Sequence, residues 1–156
     1  MVDALTFRRT CARFATGIAV ATVLDDTGTP HGMTVNSFTS VSLVPPLVLV
    51  CIDYSANLLP MFRAARYYGL SVLNESQKPL SNKFATRGQD RFDGITWTAG
   101  HTGVPLLPEA LAHLECEVRQ VVEAGDHAIF IGEVLQATAE DGKPLLYFDS
   151  SYRVLD

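Results

Sequence analysis

Short hydrogen-bonding side chains follow one another closely in the segment TVNSFTSVS, residues 34 to 42. Hydroxyl groups and nearby backbone N–H groups can together hold a phosphate without a formal positive charge. They can also bond the edge of a planar heteroaromatic ring, for which Val41, Leu43 and Cys51 would provide an apolar floor. The alternative is the polar outer face of an ordinary strand, where threonine is common. Composition alone favours that alternative.

His127 is a second candidate for chemistry. It follows a Gly-Asp pair at the start of an apolar segment and has the same parity as Ile129 and Ile131. A histidine at a strand end is most simply bonded to a backbone group. A neutral imidazole is also a donor at neutral pH, so a ligand contact is open on the same residues.

No metal-binding pattern accompanies these candidates. The other histidines and the three cysteines are isolated in the sequence: His31, His101, His113, Cys11, Cys51 and Cys116. None of them has the spacing of a zinc site, and we expect no metal. Scattered cysteines in odd number predict buried free thiols in a reducing compartment.

Length and charge restrict the class of protein. A chain of 156 residues with 47% hydrophobic residues predicts one folded domain over residues 1–156. Its formal net charge of −5 argues against nucleic acid as the main partner, because phosphate backbones attract clustered lysine and arginine. The longest apolar run, LVLVCI, is too short to span a membrane. The first residues include an early acid and no apolar signal core, which predicts a cytoplasmic location.

The hydrophobic pattern indicates the elements that must position these residues. We expect about six or seven strands, joined mostly by turns, in an antiparallel sheet or barrel. No G-x-G-x-x-G sequence is present, which argues against a Rossmann domain. Glu115 and Glu117 fall on the polar side of their strand and are expected to be exposed, whereas strand 47–53 is expected to be buried on both faces. The predicted helices cover 3–17, 58–68 and 76–86, and the predicted strands cover 18–24, 31–38, 47–53, 69–74, 94–100, 113–124 and 127–141. The segments 144–148 and 152–155 close the chain.

The order of the motifs adds a resemblance. TVNSFTSVSLVPPLVLVCID, residues 34–53, closely resembles a signature of the flavin reductase-like family, the short-chain NAD(P)H:flavin oxidoreductases. Five more segments resemble family motifs in the family's order: FRRTCARFATGIAVAT (7–22), YSAN (54–57), SVLNESQKPLSNKFA (71–85), EAGDHAIFIGEV (123–134) and PLLYFDSSYRVL (144–155). Each motif alone is weak, but their order is specific. Two departures are DSSY, where the family often has a Gly-containing pair, and Asn57, where threonine is more usual.

The resemblance implies a fold, an activity and a site. The fold would be mainly β: an antiparallel FMN-binding split β-barrel of Greek-key type with a few short flanking helices, acting as a homodimer. The activity would be reduction of FMN or FAD by NADH or NADPH, with the reduced flavin supplied to a partner monooxygenase. His127 would act on the nicotinamide side, by donating to its carboxamide or orienting the ring. The cofactor-binding residues would be Thr34, Asn36, Ser37, Ser40, Val41, Cys51, Asp53, Ser55, Asn57, Lys83, Phe84 and Tyr152.

Other functions stay open at this point. A flavin-binding electron carrier that holds FMN tightly, without turning over free flavin, could use the same cradle. A split-barrel oxidase or a haem-binding relative is a further alternative, for which His127 is the one tempting axial ligand. The sequence does not distinguish FMN from FAD. NADH is favoured over NADPH because no cluster of arginines is evident.

Overall fold

The computed structural model describes residues 1–156, and most of its regular structure is strand. The helices are short, and none is long and apolar enough to cross a membrane. The helices are α1 (Ala4–Cys11), α2 (Leu59–Ala64) and α3 (Lys78–Ala85), with a 3₁₀ turn at Glu75–Gln77. The strands are β1 (Thr16–Gly17), β2 (Ala19–Leu24), β3 (Pro30–Val35), β4 (Thr39–Ser42), β5 (Leu47–Asp53), β6 (Tyr67–Val72), β7 (Thr98–Ala99), β8 (Pro105–Leu106), β9 (Ala112–Ala124), β10 (His127–Ala139), β11 (Leu146–Phe148) and β12 (Ser151–Arg153).

Seven of the strands form one antiparallel sheet in the order β3-β2-β6-β9-β10-β5-β4. Its two edge strands, β3 and β4, follow one another in the chain, and no ladder joins them. Smaller sheets are formed by β1, β11 and β12 and by β7 and β8. The predicted mainly β, antiparallel fold with a few short helices is therefore confirmed.

Two apolar clusters hold the sheet and its helices together. The larger one includes the inward side chains of β5, Val48, Val50 and Ile52, with Phe62 of α2 and Phe130 of β10. The smaller one lies under α3 and includes Phe84, Phe92 and Leu107. Side chains in β5 alternate between buried and half-buried, so the expectation that this strand is buried on both faces was wrong. Its second face is free to line a site.

Several predicted element boundaries were wrong. The predicted helix 58–68 ends at Ala64, because Ala65 is extended (φ −74°, ψ 135°) and Tyr67 already begins β6. Tyr68 is fully buried beside Cys116, and this packing overrides the local helical pattern. The predicted strand 31–38 ends at Val35, and the strand expected over 94–100 shrinks to β7.

The first helix ends at Cys11 rather than at Gly17, and none of its residues is buried. Asp3 caps it, since its carboxylate accepts from the Thr6 backbone N–H at 3.0 Å. Cys11 is exposed, so the prediction of buried thiols is wrong for this residue. Cys116 is buried and Cys51 is half-buried.

Glu115 is buried, contrary to the expectation that it would be exposed. Its carboxylate accepts from the backbone N–H groups of His101 (2.9 Å) and Thr102 (2.7 Å) and from the Thr102 hydroxyl (2.7 Å). Burial opposes ionisation, but these hydrogen bonds outweigh it and lower the pKa of Glu115. Glycine at position 100 leaves room for the Glu115 carboxylate, because a Cβ there would lie 2.5 Å from the Glu115 Cδ atom.

Replacing Glu115 by glutamine is expected to lower the free energy of unfolding by about 2 kcal/mol, because its amide would face N–H donors with a donor of its own. Urea unfolding near neutral pH measures this loss. The depressed pKa of Glu115 means that its contribution is present above the usual carboxyl range and is lost as pH falls, so the variant should differ less from wild type in acid. The control is Glu117→Gln, a variant on the same strand as Glu115 that breaks the ion pairs of Glu117 with Arg66 and Arg119. An equal loss of unfolding free energy in both variants would contradict a stabilising role for the hydrogen bonds of the buried Glu115 carboxylate.

Candidate active site

A cleft of about 180 Å³ opens between β3, the turn after β5 and the end of α3. Four residues predicted from the sequence line it: Thr34, Asp53, Asn57 and Phe84. The other lining residues are Met33, Ala56, Leu58, Ala85, Arg87 and Arg91. The cleft therefore brings together predicted residues from three separate segments, with two arginines that were not predicted.

Thr34 ties β3 to α3 at the wall of the cleft. Its hydroxyl donates to the Ser81 backbone oxygen at 2.6 Å. The Ser81 hydroxyl, fully buried, is hydrogen-bonded to the Tyr152 hydroxyl at 2.7 Å. The Thr34 hydroxyl proton is thus used within the protein, and its oxygen lone pairs remain for a ligand. Tyr152 lies behind α3, with the Lys78 Nζ atom 5.5 Å from its ring centroid.

A tight turn after β5 positions two more of the predicted residues, Asp53 and Asn57. The Asp53 carboxylate accepts from the Ser55 backbone N–H at 2.7 Å, an arrangement in which an aspartate side chain closes the turn. The bonds from Ser55 lower the pKa of Asp53, and the charges of His127 and Arg87 lower it further. Asp53 is therefore ionised near neutral pH, and the turn that it closes delivers Asn57 to the cleft.

Ser37 lies just before β4 begins and extends this edge of the sheet along β5. Its hydroxyl donates to the Cys51 backbone oxygen (3.1 Å) and accepts from the Cys51 N–H (3.0 Å). One side chain thus replaces a missing ladder partner on β5. Burial raises the pKa of the Cys51 thiol, which favours the neutral thiol at this point.

The outward face of β5 and β10 continues from the cleft. His127 lies opposite Asp53 in the ladder, and Ile129 lies opposite Cys51. Side chains paired directly across a ladder share one face, and all four of these are half-buried. The face consequently offers a partly open apolar surface with an imidazole and a carboxylate at one end.

His127 is oriented by its neighbour in the chain. Its Nδ1 atom lies 2.6 Å from a carboxylate oxygen of Asp126, and 41% of its side chain is exposed. Because an ionised carboxylate only accepts, Nδ1 carries a proton. In the neutral tautomer that this bond selects, Nε2 is an acceptor. A role for His127 on the nicotinamide side, by donating to the carboxamide or by orienting the ring, stays a prediction.

The other predicted residues lie outside the cleft. Asn36 is exposed in the segment between β3 and β4, and Ser40 and Val41 are exposed on the edge strand β4. Ser55 is exposed in the turn after β5. Lys83 is directed away from the cleft, since its Nζ atom donates to the Asp93 backbone oxygen at 2.5 Å. A ligand role for these residues stays a prediction.

Arg87 and Arg91 are the site residues that sequence reasoning missed. Arg91 donates to the backbone oxygens of Thr86 (2.9 Å) and Gly32 (3.0 Å), so the guanidinium is held in place without a carboxylate partner. Burial, followed by the charge of Arg87, lowers the pKa of Arg91. One feature of the sequence could have indicated them: two arginines four residues apart, on either side of Gly88, soon after the segment that forms α3. Neither arginine forms an ion pair with a carboxylate, and with one lining carboxylate, Asp53, against two guanidinium groups the cleft has a net positive charge that suits an anion.

Removing both hydroxyls in Ser37→Ala with Ser40→Ala is expected to weaken FMN binding about tenfold. The reason is that the Cys51 backbone would lose its partner and the edge of the sheet beside the cleft would loosen. Titration followed by flavin fluorescence measures the affinity. Ser76→Ala, in the 3₁₀ turn, is the hydroxyl control. Unchanged affinity in the double variant would remove the hydroxyl segment from the site.

Comparison with known proteins now defines the family. A family model described as the flavin reductase like domain matches residues 11–156. The chain therefore belongs to the flavin reductase-like family, as the motifs indicated.

Individual relatives agree with this assignment. A probable flavin reductase of Rhizobium meliloti is 43% identical over 132 residues, which are 85% of this chain but only 42% of that protein. This chain thus spans less than half of that relative. An FMN reductase (NADH) of Agrobacterium fabrum is 42% identical over 94% of this chain and 83% of its own length.

Solved structures of similar proteins agree with the family assignment. The NADH:FAD oxidoreductase of Streptomyces globisporus, in complex with NAD and FAD fragments, is 40% identical with a TM-score of 0.93, covering 99% of this chain and 93% of its own. The styrene monooxygenase flavin reductase of Pseudomonas putida S12 is 41% identical with a TM-score of 0.89, covering 96% and 97%. The names of these relatives, NADH-dependent FMN and FAD reductases and the flavin reductase of a styrene monooxygenase, agree with the predicted class of enzyme.

Proposed function

We propose that this protein transfers hydride from NADH or NADPH to FMN or FAD at the described cleft and releases the reduced flavin to a separate monooxygenase. The observation that carries the proposal is the cleft itself. Two arginines outnumber the single lining carboxylate, Asp53, and lie with Thr34 and Asn57 beside a half-buried apolar face. Relatives that serve monooxygenases support the second half of the proposal.

The residues present fit a flavin. Arg87 and Arg91 supply positive charge for its phosphate, and Arg91 is already oriented by two backbone oxygens. Asn57 adds an amide that both donates and accepts. Cys51 and Ile129 supply apolar surface on which a planar ring can pack. When bound, the flavin supplies the hydride acceptor, and the protein supplies position and electrostatics.

His127 is proposed to position the nicotinamide. Asp126 fixes the proton on Nδ1, so that Nε2 can accept from a carboxamide N–H. Such a contact at the end of the apolar face would hold the nicotinamide ring over the surface where the flavin packs. Hydride transfer needs the reacting atoms about 3–3.5 Å apart. A contact that fixes the position of the nicotinamide ring therefore contributes more to the rate than a group that carries a proton.

We further propose a homodimer, because this chain leaves large apolar side chains exposed on one helix and one turn. No residue of α1 is buried, and Phe14 just after it is 80% exposed. The turn between β4 and β5 exposes Leu43 (85%) and Val44 (88%). A helix of eight residues is marginal by itself, so a second copy covering it would explain its stability. Light scattering should give twice the chain mass, and a monomer would oppose the proposal.

The test of the proposed activity is NADH oxidation by the purified protein, with and without added FMN or FAD. Oxidation that depends on added flavin and continues for many turnovers is expected. A yellow protein that is bleached once by NADH and then stops would instead indicate a bound-flavin carrier. A cytoplasmic location and the choice between NADH and NADPH stay predictions.

A further inference from the structure

Three hydrogen-bonded side chains at one end of the large sheet have no part in the account above. The Tyr54 hydroxyl donates to the Glu123 carboxylate, and the Arg63 guanidinium donates to both oxygens of that carboxylate, at 2.6 and 3.1 Å. The three residues come from the turn after β5, from α2 and from β9. This set, here called the Glu123 cluster, therefore joins three separate segments of the fold.

The backbone next to the Glu123 cluster leads directly to His127. Gly125 and Asp126 form the two-residue turn between β9 and β10, and Gly125 has the positive φ (61°) that such a turn favours. The Tyr54 backbone N–H donates to the Asp126 backbone oxygen at 2.9 Å, and the Asp126 carboxylate holds the Nδ1 atom of His127. The cluster thus secures this turn on two sides, from β9 through Glu123 and from the turn after β5 through Tyr54.

The cluster lies on the face of the sheet away from the proposed nicotinamide contact. Glu123 lies opposite Ala128 in the ladder, and Ala128 is fully buried in the larger apolar cluster. Neighbouring side chains in a strand point to opposite faces, so His127 faces the other way, on the same side as Asp53. Glu123 therefore acts on a bound nicotinamide only through the backbone of the turn.

The Glu123 cluster has the features that make a surface ion pair effective. A single exposed pair contributes little to stability, but a bidentate arginine–carboxylate pair within a network is the exception. The bonds from Arg63 and then from Tyr54 lower the pKa of Glu123 to about 2. Its carboxylate is consequently ionised in neutral and mildly acidic solution, and the link between the three segments is present there.

We infer that Glu123 is a positioning residue: by binding Tyr54 and Arg63, it fixes the turn between β9 and β10. The fixed turn lets Asp126 orient the His127 ring toward the nicotinamide. The inference rests on the proposed nicotinamide contact of His127 and deepens it. Because hydride transfer tolerates little displacement of the reacting rings, a loosened turn would reduce productive binding of the nicotinamide. The flavin side would change little, since no member of the cluster lines the cleft.

The first test is spectroscopic and does not depend on turnover. Nitrogen NMR shifts of the His127 ring, recorded above the ordinary histidine pKa on isotope-labelled protein, distinguish protonation at Nδ1 from protonation at Nε2. Wild type is expected to show the Nδ1-protonated ring, and Glu123→Ala is expected to shift away from that pattern as the turn loosens. The matched control is Glu117→Ala, which removes a carboxylate paired with Arg66 and Arg119 on the same strand, and it should resemble wild type.

Steady-state kinetics then test the consequence for the reaction. Glu123→Ala is expected to raise the Michaelis constant for NADH about fivefold and to leave that for FMN unchanged. Glu123→Gln, which keeps one oxygen acceptor for Arg63, should recover part of the loss. In a His127→Ala background, Glu123→Ala should add no further rise, because a residue that acts through another has no effect once that other residue is gone.

Two results would overturn the inference. One is an unchanged His127 ring spectrum in Glu123→Ala. The other is a rise of the same size in the Michaelis constant for NADH with and without His127, or equal rises for NADH and FMN. Failure of the proposed function would be seen separately, as absence of flavin-dependent NADH oxidation by wild type, while the spectroscopic test would still apply.

Discussion

Replacing Phe84 by alanine is expected to lower the free energy of unfolding by about 3–5 kcal/mol and to weaken flavin binding about tenfold. The residue is fully buried, its ring packs edge-on against Phe92 with centroids 5.0 Å apart, and it supports the wall of the cleft from behind. Its removal leaves a cavity next to Gly32, where a Cβ would lie 3.0 Å from the ring. Urea unfolding and a fluorescence titration with FMN measure the two effects.

Phe62→Ala is the matched control for this prediction. Phe62 is also almost completely buried, but it belongs to the larger apolar cluster and does not line the cleft. It should lose a similar free energy of unfolding and keep its flavin affinity at temperatures where the protein is folded. Equal loss of flavin affinity in both variants would mean that Phe84 acts only through general stability.

Replacing His127 by alanine is expected to raise the Michaelis constant for NADH about tenfold and to leave that for FMN unchanged. The contact from Nε2 to the carboxamide would be lost, whereas the cleft that holds the flavin phosphate would not change. Steady-state kinetics with each substrate varied in turn measure the effect. His127→Asn, which retains hydrogen-bonding groups, should recover part of the loss.

A second histidine provides the control for His127. His113 is part-buried and its Nε2 atom lies 2.6 Å from the Leu107 backbone oxygen, away from the cleft. His113→Ala should affect stability and leave the ratio of the two Michaelis constants unchanged. If His127→Ala raised both constants equally, its role would be structural and the proposed nicotinamide contact would be wrong.

Local motifs predicted much of the fold because they report short-range chemistry. The turn at Asp53 and Ser55 is fixed by one aspartate and its neighbours, and the motif around it was visible in the sequence. The strand before it was found from its apolar residues, although its second face is half-exposed. The helix expected over 58–68 ended early, because burial of Tyr68 between strands outweighs local propensity.

Long-range contacts account for what the sequence did not reveal. Glu115 looked like a surface residue, since its partners, the backbone groups of residues 101 and 102, lie in an irregular segment with no pattern of its own. Arg91 lies in the same kind of segment and reaches the cleft only because Gly32 and Thr86 hold its guanidinium. The contact of Glu115 with residues 101 and 102 and that of Arg91 with Gly32 join residues that are well apart in the chain, and such contacts leave no periodic pattern of residues in the sequence.

The most direct test of the central claim is whether reduced flavin leaves the protein. Under anaerobic conditions the enzyme is mixed with NADH and a large excess of FMN, and the protein is then removed by ultrafiltration. We expect many equivalents of reduced FMN per chain in the protein-free filtrate. Reduction limited to one flavin per site, with all of it retained on the protein, would contradict a flavin reductase and indicate a bound-flavin carrier.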